Sequence, residues 1–106
     1  MAKGYMSHAI CLGGKAYINH IVYTGTDDVV SEPEPFQHEK EGIRFCDGII
    51  VILSADAAPY KEKIKAELTS EINKNPKKHP SEVILNHPLY RRFIAEPNRQ
   101  AIIIEI

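Results

Sequence analysis

The stretch Cys46–Leu68, CDGIIVILSADAAPYKEKIKAEL, decides the fold. Its apolar run Ile49–Leu53 is the longest in the chain. Five consecutive apolar residues describe a strand buried on both faces, hence a central one. Asp47–Gly48 before it is a strong hairpin signal and predicts two strands, 43–46 and 49–53. After it, Tyr60, Ile64, Leu68 and Ile72 recur every four residues and predict one apolar stripe on a helix over about 58–74. Pro59 suits a first helical turn, Asp56 or Ala58 the N-cap, and Asn73, Asn75 and Pro76 the stop.

Upstream, YMSHAICLGGKAYINHIVYTG reads as a hairpin turning at Gly13–Gly14, two residues able to take the positive φ of a type I′ turn. That turn sets Leu12 opposite Lys15, Ile10 opposite Tyr17 and His8 opposite Asn19. The other face carries Ala9, Cys11, Ala16, Ile18, His20 and Val22. It is the more apolar and is assigned to the core.

Residues 25–42 form a long acidic loop in which Pro33 and Pro35 favour extended chain, with room for a short strand at Val29–Val30. Downstream, Pro88 inside a single helix over 82–95 would cost about 3 kcal/mol. A short segment 82–85 and a helix about 87–95, capped by Asn86, avoid that cost. In that helix Leu89, Phe93 and Ile94 face the core, with Tyr90 at its rim. QAIIIEI at 100–106 is a final β-branched strand.

Early hairpins and late helices describe an α+β domain: an antiparallel or mixed sheet of about five strands with the two helices packed on it. At 106 residues, 43% of them hydrophobic, the chain suffices for a single domain with one core. Residues 1–53 carry four Lys/Arg and seven Asp/Glu, net −3. Residues 54–106 carry nine and seven, net +2. Opposite-signed halves suit association between copies. A net charge of −1 argues against a nucleic-acid binder. No apolar run reaches membrane-spanning or signal-peptide length, and two unpaired cysteines fit a reducing cytoplasm.

Locally, DGIIVILSADAAPY resembles the strand-to-loop segments of flavodoxin-like and nucleoside-transferring α/β enzymes, where an apolar strand ends beside the ligand. This chain departs from them in having no glycine over 54–59 and no second β-α unit. A phosphate cradle needs the close backbone approach that glycine permits.

The candidate ligand-binding residues are Ser54, Asp56 and Tyr60 at the strand–helix junction, with Arg91, Arg92 and Arg99 downstream. Paired arginines suit phosphate or carboxylate by forked hydrogen bonding. The five histidines show no zinc-type spacing, and no metal or cofactor is expected. No catalytic dyad or triad is present as a motif. These residues describe a non-catalytic binding module, working as a homo-oligomer, for a small anionic, nucleotide-like ligand or an acidic protein surface. The alternatives are two. One is a small enzyme on a nucleotide-like or phosphorylated substrate, with Ser54 and Asp56 positioning it and the 25–42 loop supplying acid–base groups. The other is an interaction factor that uses the acidic loop itself.

Overall fold

A computed structural model describes residues 3–25, 27–36 and 42–106. The elements run β1 (Lys3–Leu12), β2 (Lys15–Thr24), β3 (Val29–Val30), β4 (Glu34–Pro35), β5 (Ile43–Ser54), a 3-10 helix (Ala55–Tyr60), α1 (Lys61–Lys74), α2 (Pro80–Leu85), α3 (Pro88–Arg92) and β6 (Arg99–Glu105). The class is α+β. The mixed sheet runs β1-β5-β6-β3-β2, closes through β1–β2 into a five-stranded barrel, and carries β4 as an extra strand on β2. Among the described residues only β1 and β5 pair in parallel.

The β1–β2 hairpin turns at Gly13 and Gly14, at φ 64° and 81°, with Leu12 opposite Lys15 and Ile10 opposite Tyr17 as the turn chemistry requires. The expected division into one core face and one outer face does not hold. Ile10 and Leu12, placed outside, are fully buried, and Ile18, placed inside, is exposed. Two clusters explain this. Ile10, Leu12, Val22, Val30, Ile50, Ile52 and Ala101 come from all five barrel strands and fill its interior. Ala9, Cys11, Val51 and Leu53 lie on the outer side, beneath Ile64, Leu68, Ile84 and Tyr90 of the helices. Closure gives β1 and β5 an inside and a covered outside, so both faces are apolar. That is the physical meaning of the Ile49–Leu53 run.

Asp47–Gly48 is not a turn. β5 continues through it, with a register shift against β1 between Ser7–Cys46 and Ala9–Ile49, a β-bulge. A Cβ on Gly48 would overlap the Ile106 carbonyl, so glycine serves close backbone approach there. Ser7 pins the irregularity. Its buried hydroxyl accepts from the Ala9 N–H at 3.1 Å and lies 2.8 Å from both the Ala9 and Gly48 carbonyls, to one of which it donates. Opposite it, Asn19 takes a left-handed φ of 55°. The inward side chains accordingly change parity along both strands, from Tyr5 to Ile10 and from Tyr17 to Val22.

Within 25–42, Val29–Val30 is a barrel strand between β2 and β6, and Glu34–Pro35 pairs with β2. Residues 26 and 37–41 of that acidic segment lie outside the described residues.

The helical stripe is present, with Ile64 and Leu68 fully buried, but the α-helix starts at Lys61, after the 3-10 turn that contains Pro59. Neither Asp56 nor Ala58 caps it. Tyr60 holds the N-cap position of α1, and no side chain there bonds the first-turn N–H groups. The next helices begin at two His-Pro pairs. His79 Nδ1 accepts from the Ser81 N–H at 3.2 Å, and His87 Nδ1 from the Leu89 N–H at 3.1 Å. Asn86, expected as a cap, instead closes α2 and donates its side-chain amide to the Glu82 carbonyl. α3 ends at Arg92, short of residue 95. The chain leaves the helix because Ile94 forms a bridge with Leu53 and the Phe93 carbonyl accepts from the Ser54 N–H at 2.8 Å. Tyr90, placed at the rim, is fully buried, and Ile94, placed in the core, is exposed.

Candidate functional site

The strand–helix junction and the segment after α3 come together at Phe93. Ser54, the last residue of β5, reaches it through the backbone bond already described. Tyr60, half-exposed at the end of the 3-10 helix, stacks on the Phe93 ring with centroids 6.0 Å apart and planes 29° from parallel. The Arg92 guanidinium lies 5.3 Å from the same ring centroid, a cation–π contact. Three of the six residues expected from sequence, Ser54, Tyr60 and Arg92, thus share one neighbour.

The other three lie apart from this cluster. Asp56 is exposed in the first turn of the 3-10 helix. Arg91 donates to the Leu85 carbonyl at 3.4 Å, which directs it toward α2. Arg99 pairs with Glu96 at 3.5 Å at the start of β6. The Phe93 cluster is an exposed surface of aromatic and cationic groups.

A concave site lies on the other side of the junction. Tyr5, Arg44, Ile103 and Glu105 from the barrel, with Lys61, Glu62 and Lys65 from the first turns of α1, line a cleft of about 350 Å³. The parallel pairing of β1 with β5 sets Tyr5 beside Arg44. Lys61 and Lys65, one helical turn apart, share a face of α1. Arg44 gives one amino group to Glu105 at 3.2 Å, and Glu105 also accepts from the Cys46 thiol at 3.2 Å. Among the described residues no ion pair occupies Lys61 or Lys65. The lining counts three cations against two carboxylates, in a chain whose own net charge is −1.

A larger cleft, about 640 Å³ between α1 and the α2–α3 segment, is lined by Lys63 and Lys78 against Glu67, Glu71 and Glu82. It favours neither sign of ligand strongly.

Burial and charge hold both cysteines protonated at neutral pH. Both are free and buried. Burial pushes the Cys11 thiol up to about 12. Burial first, then the hydrogen bond and negative charge of Glu105, push Cys46 up to about 11. A thiol held protonated is a poor nucleophile. Among the described residues no group of three or more His, Cys, Asp or Glu could hold a metal ion, and no helix is long and apolar enough to cross a membrane.

No family model, no curated protein and no solved structure matches the chain. Geometry alone therefore carries the functional reading.

Sequence reasoning missed Tyr5, Arg44, Lys61 and Lys65. The i, i+4 spacing of the two lysines was visible beside the apolar stripe. Nothing local marked Tyr5 and Arg44, because only the long-range pairing of β1 with β5 makes them neighbours.

Proposed function

We propose that this protein is a non-catalytic binding module that holds a small anionic ligand in the cleft of Tyr5, Arg44, Lys61 and Lys65. The observation that carries this is the convergence of three cations beside an aromatic ring in one concavity. Its volume of about 350 Å³ falls at the lower end of the range for ligand sites, suiting a nucleotide-like or smaller phosphorylated compound. Arg44 offers a planar fork to phosphate or carboxylate oxygens, the lysines two mobile point charges. Tyr5 adds an aromatic wall. The groups are solvent-facing, so binding is weakened by salt.

The module works as a homo-oligomer. The opposite charge balance of its two halves and the exposed Ile18 support association between copies. Its two free, buried thiols suit a reducing, cytoplasmic setting.

A second reading has its own observation. Tyr60, Phe93, Arg92 and Ile94 form an exposed patch of the composition enriched at protein interfaces, and it would meet an acidic protein surface.

Calorimetric titration of the protein with inorganic phosphate, nucleoside monophosphates and nucleoside diphosphates tests the first reading. Saturable binding that is lost in Lys61→Glu/Lys65→Glu and retained in Arg92→Glu supports it. Binding unchanged in the double variant removes the cleft. Loss only in Arg92→Glu moves the site to Phe93. Native mass spectrometry of the same samples reads the oligomer, and a bare monomer overturns that part.

A further inference from the structure

The break in β1 and β5 opens a second, chemically opposite concavity. A pocket of about 340 Å³ lies between the outer side of the barrel and the helices. Its floor is apolar, formed by Ala9, Ile49, Ile72 and Ile106, and its rim carries His8, Asp47, Thr69, Asn73 and His79. Asp47 is the one formally charged side chain in this lining, and the described residues place no ion pair on it.

The rim mixes donors and acceptors: His79, whose Nδ1 accepts from the Ser81 N–H, carries its ring proton on the other nitrogen, while Asp47 only accepts. The Thr69 hydroxyl donates to the Lys65 carbonyl at 2.8 Å, so its oxygen can only accept from a ligand. Asn73 adds an amide oxygen. Phe45 is not part of this lining and touches it through His8. Its ring is 51% exposed and meets His8 edge-on, with centroids 5.6 Å apart at 89°. An unpaired carboxylate over an apolar floor suits a cation with an apolar body.

We infer that this pocket is a binding site for a small organic ammonium, an amine with a compact apolar body. The body fills the floor and the ammonium donates to Asp47, Thr69 and Asn73. An anion would face Asp47 with no fixed cation in the lining to offset it. The break at His8, opposite the left-handed Asn19, puts a rim residue where a regular strand would turn it elsewhere, and bulges of this kind are common beside ligand sites. The site is separate from the cationic cleft and does not depend on it.

The test is an amide NMR titration of the full chain with three probes of one shape: phenethylammonium, 2-phenylethanol and phenylacetate. The expected result is saturable shifts at His8, Thr69 and Asn73 with the ammonium, and weaker or no binding of the alcohol and the acid. Losing a hydrogen-bonded charge, Asp47→Asn should weaken the ammonium by roughly tenfold or more. The Asp47 side chain is exposed, so the variant's unperturbed spectrum verifies its folding. Lys61→Glu/Lys65→Glu should leave the ammonium affinity unchanged, separating this site from the anionic one. Phenylacetate or the alcohol binding as tightly as the ammonium overturns the proposal. So does unchanged affinity in Asp47→Asn, or the absence of a saturable shift with any probe.

Discussion

The Tyr90 hydroxyl accepts a hydrogen bond from the Gly14 N–H at 3.0 Å, joining α3 to the β1–β2 turn across 76 residues of chain. The ring below it is fully buried among the helices and the barrel wall. One side chain therefore anchors the last helix to the first hairpin. Tyr90→Phe keeps the ring and leaves the Gly14 N–H without this partner, at a cost of about 1 kcal/mol. For a chain of this size that lowers the melting temperature by roughly 4–8 °C. Tyr90→Ala also empties the site, and about 3–5 kcal/mol is expected from large-to-small core changes of aromatics. Thermal denaturation of the two variants beside the parent separates the polar contribution from the packing.

The same residue sets an alkaline limit. Burial, its largest cause, pushes the Tyr90 phenol up to about 12, against the opposing effect of the Gly14 N–H. The folded state therefore favours the neutral phenol. Its contribution is complete below the unfolded value near 10 and is lost as pH rises from there toward 12. Absorbance titration of the five tyrosines should show one ionising late, coincident with unfolding. Tyr90→Phe should remove that late step and leave the other four. A parent titration with no delayed tyrosine would contradict the burial of this ring.

The two His-Pro pairs should behave as caps of ordinary strength. His87→Ala deprives the Leu89 N–H of its acceptor and should cost about 1 kcal/mol, and His79→Ala a similar amount at α2. Asn at position 87 supplies an acceptor of similar reach and should recover most of the loss. Urea denaturation of His87→Ala and His87→Asn reads the difference. Equal midpoints for the two variants would mean that the imidazole contributes through packing instead.

Gly48 should not tolerate a side chain. Ile49 and Ile106 exchange reciprocal backbone hydrogen bonds, at 2.7 Å and 2.9 Å, and a Cβ on Gly48 would overlap the Ile106 carbonyl. Gly48→Ala is expected to cost about 2 kcal/mol, within the range for overpacking, and to disturb the pocket beside it. Hydrogen exchange gives the local reading, with faster exchange at Ile49 and Ile106 than in the hydrogen-bonded pairs of β1 with β2. Gly14→Ala, whose Cβ meets nothing but whose φ is positive, is the control for backbone strain alone.

Local chemistry by itself determined several parts of this protein. The Gly13–Gly14 turn and its register, the stripe of Ile64, Leu68 and Ile72, and the β-branched final strand all follow from neighbours close in sequence, where conformational preference and side-chain period act directly. The α+β class followed from their order along the chain.

Tertiary structure decided the rest, because the deciding contacts join distant segments. Asp47–Gly48 has turn chemistry, yet parallel pairing with β1 holds the strand extended and the glycine yields its space to Ile106. Barrel closure through Val29–Val30 gave β1 two buried sides, which no period-of-two reading of the hairpin alone could supply. Among the six residues expected at a site, only those meeting Phe93 were drawn together, while the cationic cleft took Tyr5 and Arg44 from strands that the chain separates by a hairpin and an acidic segment. Burial of apolar surface selects such neighbours without regard to their distance in sequence, so the polar groups carried along with them become a site only once the barrel has closed.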